Sequence, residues 1–142
     1  MDGLSMVDQA LPPEVVIRAE GDIVAARRSV REWARAIGFG LTDVTRIVTA
    51  ASELARNIFL YAGEGTMRMR AFEENGRTAL ELSFEDAGPG IADIDRALEE
   101  GFSTSGGLGL GLPGARRLMD QMEIQTEAGK GTRITLRKWL RA

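Results

Sequence analysis

The chain has no cysteine and no histidine. The first absence excludes disulfides and thiolate metal sites. The second removes Ser-His triads, zinc–histidine centres and phosphohistidine chemistry within the chain. Aromatic residues make up only 6% of the 142 positions, and the net charge is −3. With no basic tract and no interleaved aromatic platform, nucleic acid is not an expected partner. No apolar run reaches membrane-spanning length, and the N-terminus carries no signal-peptide pattern. The expectation is therefore a cytoplasmic protein with no membrane partner. Hydrophobic content of 44% and charged content of 27% are those of a soluble globular chain with a real core.

Glycine, by contrast, is concentrated. Residues 101–114 read GFSTSGGLGLGLPG, with glycine at Gly101, Gly106, Gly107, Gly109, Gly111 and Gly114. Such a run costs conformational entropy on folding, so it belongs where backbone must approach a ligand or move. Pro113 suits a first helical turn, and Leu112, Ala115, Leu118, Met119 and Met122 recur at helical spacing. A loop that feeds a helix N-terminus offers free N–H groups and a positive dipole end to an anion. The stretch reads as a lid over phosphates.

Taken in order, residues 1–13 form a loose tail, and 14–142 one domain. Glu14 to Glu20 is β-branched and reads as a short strand. Asp22 is the expected cap of a helix carrying the stripe Ile23, Ala26, Val30, Trp33, Ala34 and Ile37, which Gly38 ends. Arg27, Arg28, Arg31 and Arg35 lie on or beside its solvent face. Thr42 is the expected cap of a second helix running to about Tyr61, with Val44 to Ile58 apolar on one side and Glu53 and Asn57 together on the other. Met67 and Met69 alternate with arginines and are core residues of a strand. Asn75-Gly76 predicts a hairpin to a strand over 78–85. Asp86 to Gly90 is a turn, 91–100 a short helix, 112–122 a further helix, and 123–127 and 132–140 the last two strands. The pattern predicts a two-layer α/β sandwich, with a mixed, mostly antiparallel sheet and helices on one face.

Four separated pieces resemble the boxes of the GHKL ATP-binding superfamily. They are Glu53-Leu54-Ala55-Arg56-Asn57 (the N box), Asp86-Ala87-Gly88-Pro89-Gly90 (D-x-G-x-G), the glycines from Gly106 to Gly111, and Gly129-Lys130-Gly131-Thr132 (G-x-G-T). The likeness runs from about Glu14 to Leu140. A domain of this size with glutamate in the N box is similar to the serine kinases of bacterial sigma-factor partner switching. SELARNIFLYAG, EDAGPGI and GFSTSGGLGLGLPGARRLMD are most similar to the stress-module kinase of that group.

The resemblance implies a Bergerat-type fold and an ATP-dependent serine/threonine kinase acting on STAS-domain antagonist and scaffold proteins. It also implies that the released kinase binds and activates a PP2C-type phosphatase. Direct binding of a sigma factor, or a non-catalytic ATP-regulated binding role, is the alternative. By the same resemblance Glu53 is the base and Asn57 the Mg²⁺ ligand. Asp86 accepts from the adenine amino group, with Gly88 and Gly90 leaving room for the base and Gly131 and Thr132 beside it. Gly106, Gly107, Leu108, Gly109, Leu110, Gly111 and Leu112 form the lid, and Arg116 and Arg117, in the first turns of the following helix, are the nearest basic candidates for phosphate. A helix N-terminus supplies only about half a positive charge, so Mg²⁺ is physically needed beside ATP. The lid lacks Lys and Arg between Gly101 and Gly114, and Leu60 stands near the place of an N-box lysine. Backbone amides, Mg²⁺ and a partner's residue are then left to hold the phosphates. Gly109 to Gly114 also fits the dinucleotide pattern G-x-G-x-x-G, but no strand precedes it and too little chain follows for a βαβ unit.

Overall fold

A computed structural model describes residues 12–88, 111–127 and 129–141. Strand β1 (Glu14–Ile17) leads into helix α1 (Glu20–Ile37) and helix α2 (Leu41–Asn57), which passes into a π-helical turn (Ile58–Ala62). Strands β2 (Gly65–Glu74) and β3 (Arg77–Asp86) follow, then helix α3 (Gly111–Leu118) and strands β4 (Gln121–Glu127) and β5 (Gly131–Trp139). The strands form one five-stranded sheet in the order β1-β2-β3-β5-β4. Each described pairing is antiparallel. Helices cover one face, giving two layers.

The core lies between these layers. Met67, Met69, Leu80, Leu82, Phe84, Ile134 and Leu136 alternate inward along the strands, and Trp33, Ile47 and Leu54 meet them from the helices. The outer face is a lattice of charges. Glu81 takes Arg70 on one side and Arg137 on the other at 3.2 Å, and Arg137 also reaches Glu123 at 3.2 Å. Burial works against the charge of Arg137, but Glu81 and Glu123 outweigh it and hold the guanidinium above its ordinary range.

Several local expectations shift by a few residues for identifiable reasons. Asp22 does not occupy the cap position; α1 starts two residues earlier, and the Asp22 carboxylate reaches back to the N–H groups of Arg18 and Ala19 at 2.9 Å each. Those bonds, Arg18 first, hold its pKa below the ordinary carboxylate value. Thr42 is likewise inside α2, whose cap is Gly40 without a side-chain bond. Met122 belongs to β4, because α3 stops at Leu118 and the chain bends at Met119 and Asp120. Asn75 and Gly76 have φ of 53° and 78°, as a two-residue hairpin turn requires. The helix expected over 91–100 lies outside the described residues.

Candidate active site

Glu53 and Asn57 stand one turn apart at the end of α2, both half-buried beside fully packed Leu54, Ala55 and Ile58. The helix does not end in a cap there. It widens into the π-helical turn, which Gly63 closes by donating its N–H to the Ile58 carbonyl at 2.9 Å, with φ of 80°. The widened turn presses its small and branched side chains onto the ends of two strands. A Cβ added at Gly65 would lie 2.7 Å from Ile58 Cγ2, and one at Gly88 would lie 2.7 Å from Ala62 Cβ. Glycine is required at both positions by the protein's own packing.

Asp86 is the last residue of β3 and pairs with Gly65 on one side and Thr132 on the other. Its Oδ1 accepts the N–H of Gly88 at 2.9 Å, closing an Asx turn. Its Oδ2 takes no hydrogen bond among the described residues. Gly131, at φ of 101°, crosses so close that a Cβ there would sit 2.2 Å from the Asp86 carbonyl oxygen. The sequence 129–131 thus turns with two left-handed glycines, Gly129 and Gly131, and brings Thr132 beside Asp86. Thr126 Oγ1 donates to the Gly131 carbonyl at 3.1 Å and meets Thr132 Oγ1 at 3.0 Å. Because a threonine hydroxyl has one proton, that second contact uses the proton of Thr132. Thr132 and Asp86 Oδ2 then both offer lone pairs at the same end of the sheet.

The third piece is α3, which packs along α2 with Leu112, Pro113, Gly114 and Ala115 buried. Its start, Gly111, has φ of 47°. Arg116 and Arg117 are exposed and occupy the last turn of α3, where its negative dipole end favours cations, rather than the first turns as expected. The sites assigned to Gly90 and to Gly106, Gly107, Leu108, Gly109 and Leu110 lie outside the described residues. The structure therefore joins Asp86, Gly88, Gly131 and Thr132 directly, and ties the exit of the Glu53–Asn57 helix to them through Ile58 and Ala62.

Three features were not singled out from the sequence. Thr126 carries no local signal beyond its inward phase opposite Thr132. The π-helical turn has no sequence signature, since IFLYA continues a helical pattern. Lys138 is buried at the inward phase of β5, and the alternation Thr132, Ile134, Leu136, Lys138 would have exposed it as an ion on the core side.

This geometry meets two sets of likenesses. The histidine kinase-like ATPase domain family matches residues 17–138. The chain belongs to that family. Within it, the chain is 54% identical over 127 residues to the serine/threonine-protein kinase RsbT of Bacillus subtilis, covering 89% of this chain and 96% of that protein. Its enzymatic class is that of this relative, a serine/threonine-protein kinase. An anti-sigma F factor of Caldanaerobacter subterraneus is 29% identical over 81% of this chain and 83% of its own length. The fold is also similar to part of a solved chain holding the RsbU and RsbW domains of a Mycobacterium tuberculosis protein, with a TM-score of 0.62 at 21% identity, covering 92% of this chain and 34% of that one. Membership in the ATPase family implies the use of ATP.

Proposed function

We propose that the protein transfers the γ-phosphoryl group of ATP to a serine or threonine hydroxyl on a STAS-domain antagonist or scaffold protein of a stress-response partner-switching module. Released from these, it binds and activates a PP2C-type phosphatase. Residues 14–142 act as one domain in the cytoplasm, and among the described residues no helix is long and apolar enough to cross a membrane. The observation that carries the reading is the junction of Asp86, Gly88, Gly131 and Thr132 with the exit of the Glu53–Asn57 helix.

On this reading Asp86 Oδ2 and Thr132 accept from the adenine amino group, Gly90 keeps a side chain away from the base, and Gly88, whose missing Cβ makes room for Ala62, holds the Asp86 turn beside it. The phosphates lie toward Gly106 to Leu112, and the start of α3 directs N–H groups at them. Arg116, in the last turn of α3, is the nearest basic side chain on that helix and would meet phosphate only by reaching back along it. The substrate oxygen forms a bond to the γ-phosphorus while the β–γ bridging bond breaks; ADP leaves, and the hydroxyl proton passes to the Glu53 carboxylate. Phosphoryl transfer is mostly positioning and charge stabilisation, so one carboxylate suffices.

Asn57 would hold Mg²⁺ with its amide oxygen. The donor fits: a neutral amide oxygen is a hard ligand of the kind such an ion takes alongside phosphate oxygens and water. The ion supplies the positive charge that a helix N-terminus lacks. The full chain incubated with Mg-ATP and candidate STAS proteins, followed by mass spectrometry, tests the proposal. A phosphorylated serine or threonine is expected, and its absence with every partner overturns the catalytic reading. The likeness to anti-sigma F factors favours a second reading, in which the same surface holds a sigma factor directly. A pull-down against sigma factor and phosphatase separates the two.

A further inference from the structure

Among the described residues only Glu81 and Lys138 are buried charges, and Lys138 is the more deeply buried at 3% exposure. Taking an ammonium out of water costs several kcal/mol unless acceptors surround it. Its Nζ donates to the Leu118 carbonyl at 2.8 Å and lies 3.6 Å from Asp120 Oδ1 and 3.8 Å from Asp43 Oδ1. Leu118 ends α3, Asp43 sits in the first turn of α2, and Lys138 itself belongs to β5. One ammonium thus joins three elements.

The carboxylates are themselves held. Asp120 donates its N–H to the Arg137 carbonyl at 3.0 Å and accepts the Trp139 N–H on Oδ2 at 2.8 Å, so it is bound to the backbone on either side of Lys138. Asp43 also accepts from Arg46 at 3.2 Å. An apolar side chain of equal volume would fill this space at lower cost. What it would not supply is a fixed point for the negative end of α3. That helix has eight residues, about 12 Å of stiff rod. Fixing one end fixes the other.

We propose that Lys138 is a positioning residue of the nucleotide site. By pinning the end of α3 and the first turn of α2 to β5, it sets where Gly111 and Leu112 stand relative to the helix that carries Glu53 and Asn57. This rests on the reading above that the start of α3 faces the phosphates. Lys138 touches no reacting atom, and its effect on binding is confined to the phosphate end. The adenine end, built from Asp86 and Thr132, is held by other contacts.

Calorimetric titration of the full chain with ADP and, separately, with adenosine tests this, both with Mg²⁺. Lys138→Met is expected to weaken ADP by about tenfold while adenosine affinity stays the same. Asp43→Asn, which keeps Lys138 and its bond to Leu118, is expected to act in the same direction with a smaller loss. If Lys138→Met does not fold, the ADP-to-adenosine ratio of Asp43→Asn decides alone. Equal loss for the two ligands, or no loss for either, overturns the positioning role and leaves Lys138 a structural ion. A wild-type chain that binds neither ligand overturns the nucleotide reading itself, an outcome distinct from the other two.

Discussion

The two ends of the sheet are built on opposite principles. At one end Gly65, Asp86 and Thr132 stand side by side across three strands, and Gly88 and Gly131 press against Asp86 and its neighbours with no side chain between. At the other end Trp139 meets Phe72 edge to face at 5.6 Å, Arg70 and Arg77 lie over the two rings, and Lys138 ties β5 to the helices. The first end is held by backbone fit; the second by large side chains and ions. Contacts made by long side chains tolerate small errors, because rotamers adjust. Contacts between backbones do not, because the chain itself must shift. An end that must leave lone pairs and space for a ligand is therefore built from residues that cannot be exchanged, while the rings and arginines of the far end supply general stability and Lys138 sets the placing of α3.

That contrast is sharpened most by separating chemistry from fit. Glu53→Gln is expected to lower phosphotransfer by about 10²- to 10⁴-fold with ATP binding and melting temperature unchanged. A kinase assay beside calorimetry reads this, and near-normal turnover removes Glu53 from its role. Next, Gly131→Ala places a Cβ 2.2 Å from the Asp86 carbonyl at a left-handed φ of 101°. Strain and overpacking together should cost about 3 kcal/mol or more, measurable by urea unfolding, and nucleotide binding should fall with it. A well-tolerated alanine there would break the comparison outright.

At the opposite end, Trp139→Ala removes a half-buried ring and its aromatic partner contact. A loss of about 1–2 kcal/mol is expected, with nucleotide affinity untouched; coupled loss of both would mean the ends are not separable. The smallest effect belongs to Asp22, in the first turn of α1. Its folded pKa is depressed below 3.8 by the Arg18 and Ala19 amides, so its stabilisation is present above that value and lost as pH falls through the folded one. Asp22→Ala should lower the melting temperature at neutral pH, and the difference from wild type should vanish in strong acid.

Much of this was legible in the chain. Alternation in 66–72 and 78–85 placed Met67, Met69, Leu80, Leu82 and Phe84 inward, and all are buried. Asn75-Gly76 fixed the hairpin register because few residues accept positive φ twice in a row. The boxes around Asn57, Asp86 and Thr132 were readable as a resemblance to the family. The π-helical turn was not, since its residues continue a helical pattern and only packing against Gly65 and Gly88 distinguishes it. Nor was the reason for Gly88: a glycine looks the same whether it makes room for a ligand or for Ala62.

The sequence by itself determined most of the described elements and their inward faces, because periodicity and turn chemistry act over a few residues, and the family boxes through resemblance. Only the tertiary structure decided that Asp86 faces Thr132 at one sheet end, that α2 leaves through a widened turn, and that Lys138 is interior. Those outcomes depend on which distant segments compete for the same space, and close packing in three dimensions settles that competition.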